Sequence, residues 1–325
     1  MYIVSYLKQG LGNKIYIFST IVYFFLELKA RHPEFSKLYI AEAISKHQKD
    51  AKTEKFKLLF PGISDYKWIE FISNDKMDML KKGAMYVKQD NLNFPKLNSS
   101  NINKNIYFEP NYNLSKVPFD NYFNLFRNMF SDLSLISSAA KRAYNFKKDI
   151  FLHIRYGDKL EYVLQGTHDF VVLRPNYYFD ALEILGPLEN EIRKVHIMTD
   201  SPAIVEEVFM PGFRKLKDFD FTISDEPYWN VFYLASKFEN LIISDSTLVN
   251  SGLNLNKNYK NVVSYAYILE PKNSKQEVSR WPNPDPVKFR YKDKTLVINP
   301  LLETDFITLT DKSYMIDSSF VFGKN

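Results

Sequence analysis

Residues 151–158 read FLHIRYGD, an apolar run that leads directly into an arginine, a glycine and a carboxylate. The apolar part predicts a buried strand over residues 149–154. Arg155, at the carboxyl end of that strand, has the charge and shape for a bidentate contact with a diphosphate. Gly157 lets the backbone turn sharply, and Asp158 would fix the arginine or bind hydroxyl groups. An ordinary strand end with a surface Arg–Asp pair is the alternative.

Outward from this strand, apolar strands alternate with helical segments in both directions. Downstream, Pro175 is placed to open a helix over residues 176–185. Upstream, a strand at residues 2–7 is followed by a glycine turn and an apolar helix from Lys14 to about Lys29. Such alternation predicts parallel sheets with right-handed crossovers, in which ligands bind beyond the carboxyl ends of the strands.

Two further polar clusters follow predicted strands in the second half. Asp200 ends one strand, and Asp245, Ser246 and Thr247 end another, just before a helix. A carboxylate there can bind a ribose or a base edge, and hydroxyls at a helix start can bind phosphate. Both clusters also suit helix capping. His153, at the buried end of its strand, is more typical of a hydrogen-bonded structural residue than of a catalyst.

The glycine turn in the first half has the residues Gly10, Gly12 and Asn13. It lacks the third glycine of a dinucleotide fingerprint and the Gly-Lys-Ser/Thr of a phosphate-binding loop. As a motif it is weak, but it would let a helix N-terminus approach a ligand in a cleft between domains.

Length, residue content and net charge exclude several classes of function. The 325 residues suit two domains, and they include no cysteine, which excludes disulfides, thiolate metal sites and cysteine nucleophiles. The five histidines have no metal-ligand spacing, and the net charge of +5 is spread along the chain without a nucleic-acid motif. We expect a cytoplasmic protein without a signal peptide or transmembrane segment; peripheral membrane contact through basic residues stays open.

The clusters together resemble a known family. The sequence contains GLGN at 10–13, HIRYGD at 153–158, a YYxxA core at 177–181, HIMTD at 196–200 and IISDST at 242–247. This is the order of motifs in the α-1,2-fucosyltransferases, whose own motif reads His-x-Arg-Arg-Gly-Asp. In this chain Tyr156 stands in the place of the second arginine, and Ser201 in the place of the second acid of a Ser-Asp-Asp motif.

The resemblance implies a GT-B-like α/β fold, in which two Rossmann-like domains with parallel sheets face a cleft. We place an acceptor-side domain at 1–148, a nucleotide-sugar-binding domain at 149–270 and a C-terminal appendage at 271–325. It implies GDP-fucose as donor substrate, a galactose-type glycan as acceptor, inversion at the anomeric carbon, and neither metal nor cofactor.

The resemblance also implies residue roles. Arg155 and Asp158 would be catalytic, and the substrate-binding residues would be Gly10, Gly12, Asn13, His153, Asp200, Asp245, Ser246 and Thr247. The alternatives are a transferase for another nucleotide sugar, a non-catalytic glycan- or nucleotide-binding relative, and an unrelated α/β protein whose clusters are only caps.

Overall fold

The structure is a computed structural model. It describes residues 1–43, 56–89, 104–110, 117–130, 144–165, 172–188, 191–224, 226–244, 246–265, 268–269, 278–279, 287–291, 294–298 and 305–309. The chain forms two compact units, Met1–Ile136 and Ser137–Asn325.

The first unit is built on a parallel sheet, which has five strands among the described residues. These are β1 (Tyr2–Leu7), β2 (Lys37–Glu42), β3 (Ile69–Phe71), β4 (Met85–Lys88) and β5 (Ile106–Glu109). Their order across the sheet is β3-β2-β1-β5-β4. Strands β2 and β3 therefore lie on one side of β1, and β4 and β5 lie on the other. The order reverses between β1 and β5, which is the topological switch point of this unit.

Helices cover this sheet, and α1 is the largest of those described. They are α1 (Leu11–Arg31), α2 (Phe56–Leu59), a 3₁₀ helix (Pro61–Asp65), α3 (Asn74–Lys82), α4 (Val117–Asn121) and α5 (Phe123–Phe130). The helix predicted from Lys14 to about Lys29 is confirmed. By length and composition α1 could cross a bilayer, but 78% of its most apolar window is buried inside the protein. Rings such as Phe18, packed against Phe56 and Phe130, account for that apolar character.

The second unit has a larger sheet. Its described strands are β6 (Ile150–Ile154), β7 (Arg193–Thr199), β8 (Phe219–Ser224), β9 (Asn240–Ile243), β10 (Asn261–Tyr265), β13 (Val287–Tyr291), β14 (Lys294–Ile298) and β15 (Asp305–Leu309), with β11 (Ile268–Leu269) and β12 (Val278–Ser279) as a separate antiparallel pair. The order is β13-β14-β15-β10-β9-β6-β7-β8. Strands from β15 to β8 are parallel, and β13 and β14 are antiparallel additions. Here the chain order reverses between β6 and β9.

Helices pack on both faces of the second sheet. The described ones are α6 (Gly157–Leu164), α7 (Pro175–Leu185), α8 (Pro202–Ile204), a π-helix (Val205–Phe209), α9 (Met210–Phe213), α10 (Tyr228–Ala235) and α11 (Thr247–Leu253). Leu152 and Ile154 of β6 belong to one apolar core and Phe151 to the core on the opposite face. A strand buried on both faces reads as a continuous apolar run, as β6 does.

The α/β fold with two mainly parallel sheets is thus confirmed. The predicted domain boundary at 148/149 falls within the second unit, because the residues just before it already pack there. Tyr144 and Phe146 lie against Phe238, with ring centroids 5.7 and 5.1 Å apart. Three strands of the predicted appendage, β13 to β15, pair onto the second sheet. These strands pair with strands that are far from them in the sequence, so no local pattern indicates that they join this sheet.

Candidate functional site

The carboxyl edge of the second sheet brings several predicted clusters together. Strand β6 lies between β9 and β7, so its end is one strand away from the ends of both. Arg155 follows β6, Asp200 follows β7, and Ser246 and Thr247 follow β9. Because β6 and β9 also flank the switch point, these residues surround the position where open α/β sheets bind ligands.

Arg155 is held between two carboxylates. Its Nη2 donates to Asp158 Oδ1 at 2.6 Å, and its Nη1 forms an ion pair with the Asp200 carboxylate. The arginine side chain is 30% exposed, whereas Asp158 is 64% exposed. Burial lowers the pKa of Arg155, and the neighbouring Asp158 carboxylate opposes that shift. The guanidinium is therefore fixed in place, and one of its two partners faces solvent.

Asp200 also organises the backbone where α6 begins. Its Oδ1 accepts a hydrogen bond from the Tyr156 amide at 3.0 Å, while Ser201 Oγ accepts one from the Gly157 amide at 2.9 Å. These amides at the helix start would otherwise lack partners. Asp200 and Ser201 thus cap α6 from a neighbouring strand, whereas the sequence favours capping of the helix that follows them. In that following helix, α8, the N-cap residue Ser201 makes no capping hydrogen bond with its side chain.

Gly157 is required where it stands. Its φ is +31°, a conformation that side chains rarely adopt. A Cβ atom there would lie 2.9 Å from Arg155 Nη1 and 3.0 Å from Asp200 Cγ. The glycine therefore leaves room for the Arg155–Asp200 pair, which agrees with the sharp turn expected from the sequence.

Tyr156 points away from this edge. Its side chain is fully buried, its hydroxyl donates to the Leu173 carbonyl at 2.8 Å, and its ring lies 5.5 Å from that of Phe209. From the sequence, a tyrosine at 156 in the place of the family's second arginine would mean one positive charge fewer beside the donor substrate. In this chain the position instead belongs to the hydrophobic core.

His153 links the two strands that flank the switch point. The residue is 5% exposed, and its Nδ1 lies 2.8 Å from the Ser244 hydroxyl, directly after β9. Burial, and secondarily the charges of Arg155 and Lys159, lower the pKa of His153 to about 3. A neutral, hydrogen-bonded imidazole matches the structural role considered from the sequence, and it fixes the end of β9 relative to β6.

This neutral histidine gives a testable pH dependence. Unfolding restores a pKa near 6.5, so between about pH 6.5 and 3 the unfolded chain binds more protons and stability falls with falling pH. We expect a contribution of about 1.4 kcal/mol per pH unit in that window. Urea unfolding from pH 7 to 4 should show a shallower decline for His153→Gln than for the wild type. Parallel declines would contradict the assignment.

The remaining predicted residues follow β9, lie in the first unit or lie outside the described residues. Ser246 is buried and is the N-cap of α11, but makes no side-chain capping bond; Thr247 is the first residue of α11. Asp245 lies outside the described residues. Gly10, Gly12 and Asn13 belong to the first unit, after β1, where Asn13 Nδ2 donates to Gln9 Oε1.

Sequence reasoning missed a partly buried ion pair beside this turn. Lys14, in the first turns of α1, lies 3.1 Å from Glu42 Oε2 at the end of β2. Glu42 Oε1 also accepts a hydrogen bond from the Phe56 amide at 2.6 Å. The pair stabilises the carboxyl edge of the first sheet. Among the described residues, no group of three His, Asp or Glu side chains is placed to hold a metal ion.

Comparison with known proteins gives only distant structural likeness. No protein-family model matches the chain, and no curated protein is significantly similar. The α-1,6-fucosyltransferase NodZ, soaked with GDP-fucose, is 14% identical, with 86% of this chain and 98% of that one covered and a TM-score of 0.46. POFUT1 with GDP-fucose is 10% identical, with 81% and 97% covered and a TM-score of 0.43.

A third similar structure is the E. coli heptosyltransferase WaaC with ADP. It is 8% identical, with 83% of this chain and 89% of that one covered and a TM-score of 0.39. All three neighbours are glycosyltransferases. Likeness at this level does not establish what this chain does, so its function must be inferred from its own residues.

Proposed function

We propose that this chain is a glycosyltransferase that moves a sugar from a nucleotide sugar to a hydroxyl group of a glycan. The donor we propose is GDP-fucose and the acceptor a galactose-type glycan, with α-1,2 linkage and inversion, because the motifs resemble that family. One observation carries the enzymatic proposal. A positioned guanidinium, Arg155, lies at the switch point of a parallel sheet, where such folds bind ligands.

The proposed reaction needs a cation at this position. The bond between the sugar and the diphosphate breaks, its electron pair stays with the diphosphate, and the acceptor oxygen bonds to the sugar from the opposite face. Negative charge thus grows on the leaving group, and a fixed guanidinium stabilises it without reorganising. Arg155 would supply that contact, and Ser246 and Thr247 would line the other side of the switch point.

Asp158 would have two roles in this reaction. Its carboxylate accepts a hydrogen bond from Arg155 Nη2 at 2.6 Å. The diphosphate would displace this exposed carboxylate and leave the more enclosed Asp200 in place. We propose that the displaced Asp158 then accepts the proton of the acceptor hydroxyl.

Replacing Asp158 by asparagine tests this competition. An exposed ion pair contributes about 0.2–1 kcal/mol, so its removal should tighten GDP binding about 1.5- to 5-fold. Transfer should nevertheless decrease, because an amide cannot take a proton. Titration calorimetry with GDP and initial rates on the same preparation check both effects. Weaker GDP binding in Asp158→Asn would show that Asp158 does not compete for Arg155.

The proposed function is tested directly by a transfer screen. The protein is incubated with GDP-fucose and galactose-terminated acceptors, and the products are identified by mass spectrometry. In parallel, GDP, UDP and ADP are compared by thermal shift, since a ligand that binds only the native state raises stability. We expect stabilisation by GDP and a fucosylated product. Stabilisation by UDP or ADP alone would point to another nucleotide sugar.

A non-catalytic binding protein is the second candidate. One observation favours it, namely that both terminal nitrogens of Arg155 already have carboxylate partners. Such a protein would bind GDP yet produce neither transfer nor donor hydrolysis above background. Turnover in the screen would exclude this candidate.

A further inference from the structure

The formal charges around Arg155 cancel one another. Arg155 donates to Asp158 and pairs with Asp200, so its single positive charge is opposed by two carboxylates. Lys159 follows Asp158 directly, and its charge also acts on the buried ring of His153. These two cations and two carboxylates leave no net positive charge among them. A diphosphate carries several negative charges, so a site that holds one at this edge needs a further cation.

Helix α7 has its N-terminus at the same edge of the second sheet. At its other end, Arg193, the first residue of β7, donates to the carbonyls of Leu185 and Gly186 at 3.2 and 3.0 Å. The C-terminus of α7 therefore lies where β7 begins. Because the helix crosses the face of the sheet, its first turn lies toward the carboxyl ends of the strands.

The start of α7 is anchored to both strands that flank the switch point. The hydroxyl of Tyr156, the residue after Arg155, donates to the carbonyl of Leu173 at 2.8 Å. In the first turn of α7, the Tyr177 hydroxyl donates to the carbonyl of Ile243, the last residue of β9, at 2.7 Å. The chain between these two bonds is thus fixed beside the ends of β6 and β9.

Arg174, which lies between these anchors, is an unusual residue for its position. It is the N-cap of α7, and its side chain makes no capping hydrogen bond. Helix N-caps are usually Ser, Thr, Asp or Asn, and a positive charge at a helix N-terminus is opposed by the helix dipole. The first turn of α7 contains no acidic residue. An anion bound here would interact favourably with both the guanidinium and the helix N-terminus.

We infer that Arg174 supplies, together with Arg155, the positive charge that holds the diphosphate of the donor; this inference rests on the proposed function. Arg174 is half-buried. A guanidinium has five N–H donors in a planar fork, so it can keep contacts within the protein and still bind phosphate oxygens. Tyr156, in the place of the family's second arginine, thus anchors the segment that carries another arginine.

Titration calorimetry with inorganic pyrophosphate and with GDP tests the inference. Arg174→Gln should weaken binding of both ligands about tenfold or more, because a charge-assisted hydrogen bond is lost. Guanosine, which has no phosphate, should bind the variant and the wild type equally. Arg174→Lys keeps the charge but loses the planar fork, so it should recover part of the affinity.

Arg214→Gln is the matched control, since it removes an exposed arginine from the same unit. It should bind both phosphate ligands within about twofold of the wild type. Urea unfolding of each variant checks that the fold persists. Equal pyrophosphate and GDP affinity in Arg174→Gln and the wild type would overturn the inference, and so would an equal loss in the control.

The same measurements keep this inference distinct from the proposed function. GDP binding and fucosyl transfer by the wild type, with both unchanged in Arg174→Gln, would refute only the role of Arg174. Pyrophosphate binding that depends on Arg174, without any transfer from GDP-fucose, would support the phosphate contact and refute the proposed transferase. A wild type that binds neither pyrophosphate nor GDP would refute both.

Discussion

Replacing Arg155 with alanine should lower the transfer rate by about 10²–10³-fold, equivalent to about 3–4 kcal/mol of transition-state stabilisation. The guanidinium lies at the switch point and would meet the charge that develops on the leaving diphosphate. The fold should persist, because the side chain is part exposed and lies outside the apolar cores. Initial rates with GDP-fucose and the best acceptor of the screen give the measurement.

Arg214→Ala is the matched control for this loss. Arg214 also forms an ion pair, with Glu206, but lies on an exposed surface of the second unit. Its replacement should leave the rate within about twofold, since exposed pairs contribute little. Near-normal turnover in Arg155→Ala, with the control also unchanged, would remove Arg155 from the mechanism and with it the main support for the enzyme.

The parts of the fold that depend on local pattern could be predicted from the sequence. The strand predicted at residues 2–7 is β1, at Tyr2–Leu7, and the strand predicted at 149–154 is β6, at Ile150–Ile154. The helix after Pro175 runs from Pro175 to Leu185. In each case apolar residues and a turn or proline lie within a few positions of one another, so a short window contains the signal.

The parts that depend on strand order could not be predicted. Asp200 reaches Arg155 because β7 is adjacent to β6, a fact of sheet topology that neither segment encodes alone. The same holds for Lys14 and Glu42, and for the approach of β5 to β1, which forms the switch point of the first unit. Tyr156 also escaped prediction, because the regular alternation of side chains ends with the strand and nothing local shows which way the next residue points.

The two units have a common arrangement. In each, the chain order reverses beside the first strand, and two oppositely charged side chains lie at that reversal. In the second unit they are Arg155 and Asp158, with the charge to hold a diphosphate. In the first they are Lys8 and Glu109, whose Nζ and Oε1 atoms lie 3.4 Å apart.

Tyr156→Arg, which restores the arginine of the family motif, should destabilise the second unit by about 3–5 kcal/mol. The new guanidinium would occupy the fully buried position of the tyrosine ring, beside Phe209 in an apolar core of the second unit. The bond to the Leu173 carbonyl would also be lost. Urea unfolding followed by circular dichroism measures the change, and we expect no gain in GDP affinity.

Tyr156→Phe separates the two causes. It keeps the ring and loses only the hydroxyl, so its cost should be about 1–2 kcal/mol, that of one buried hydrogen bond. The difference between the two variants is then the cost of burying a charge. If Tyr156→Arg were as stable as the phenylalanine variant and bound GDP more tightly, the side chain at 156 would have to reach the nucleotide. Arg155 would then share the diphosphate with a further cation, and the core placement of Tyr156 would be wrong.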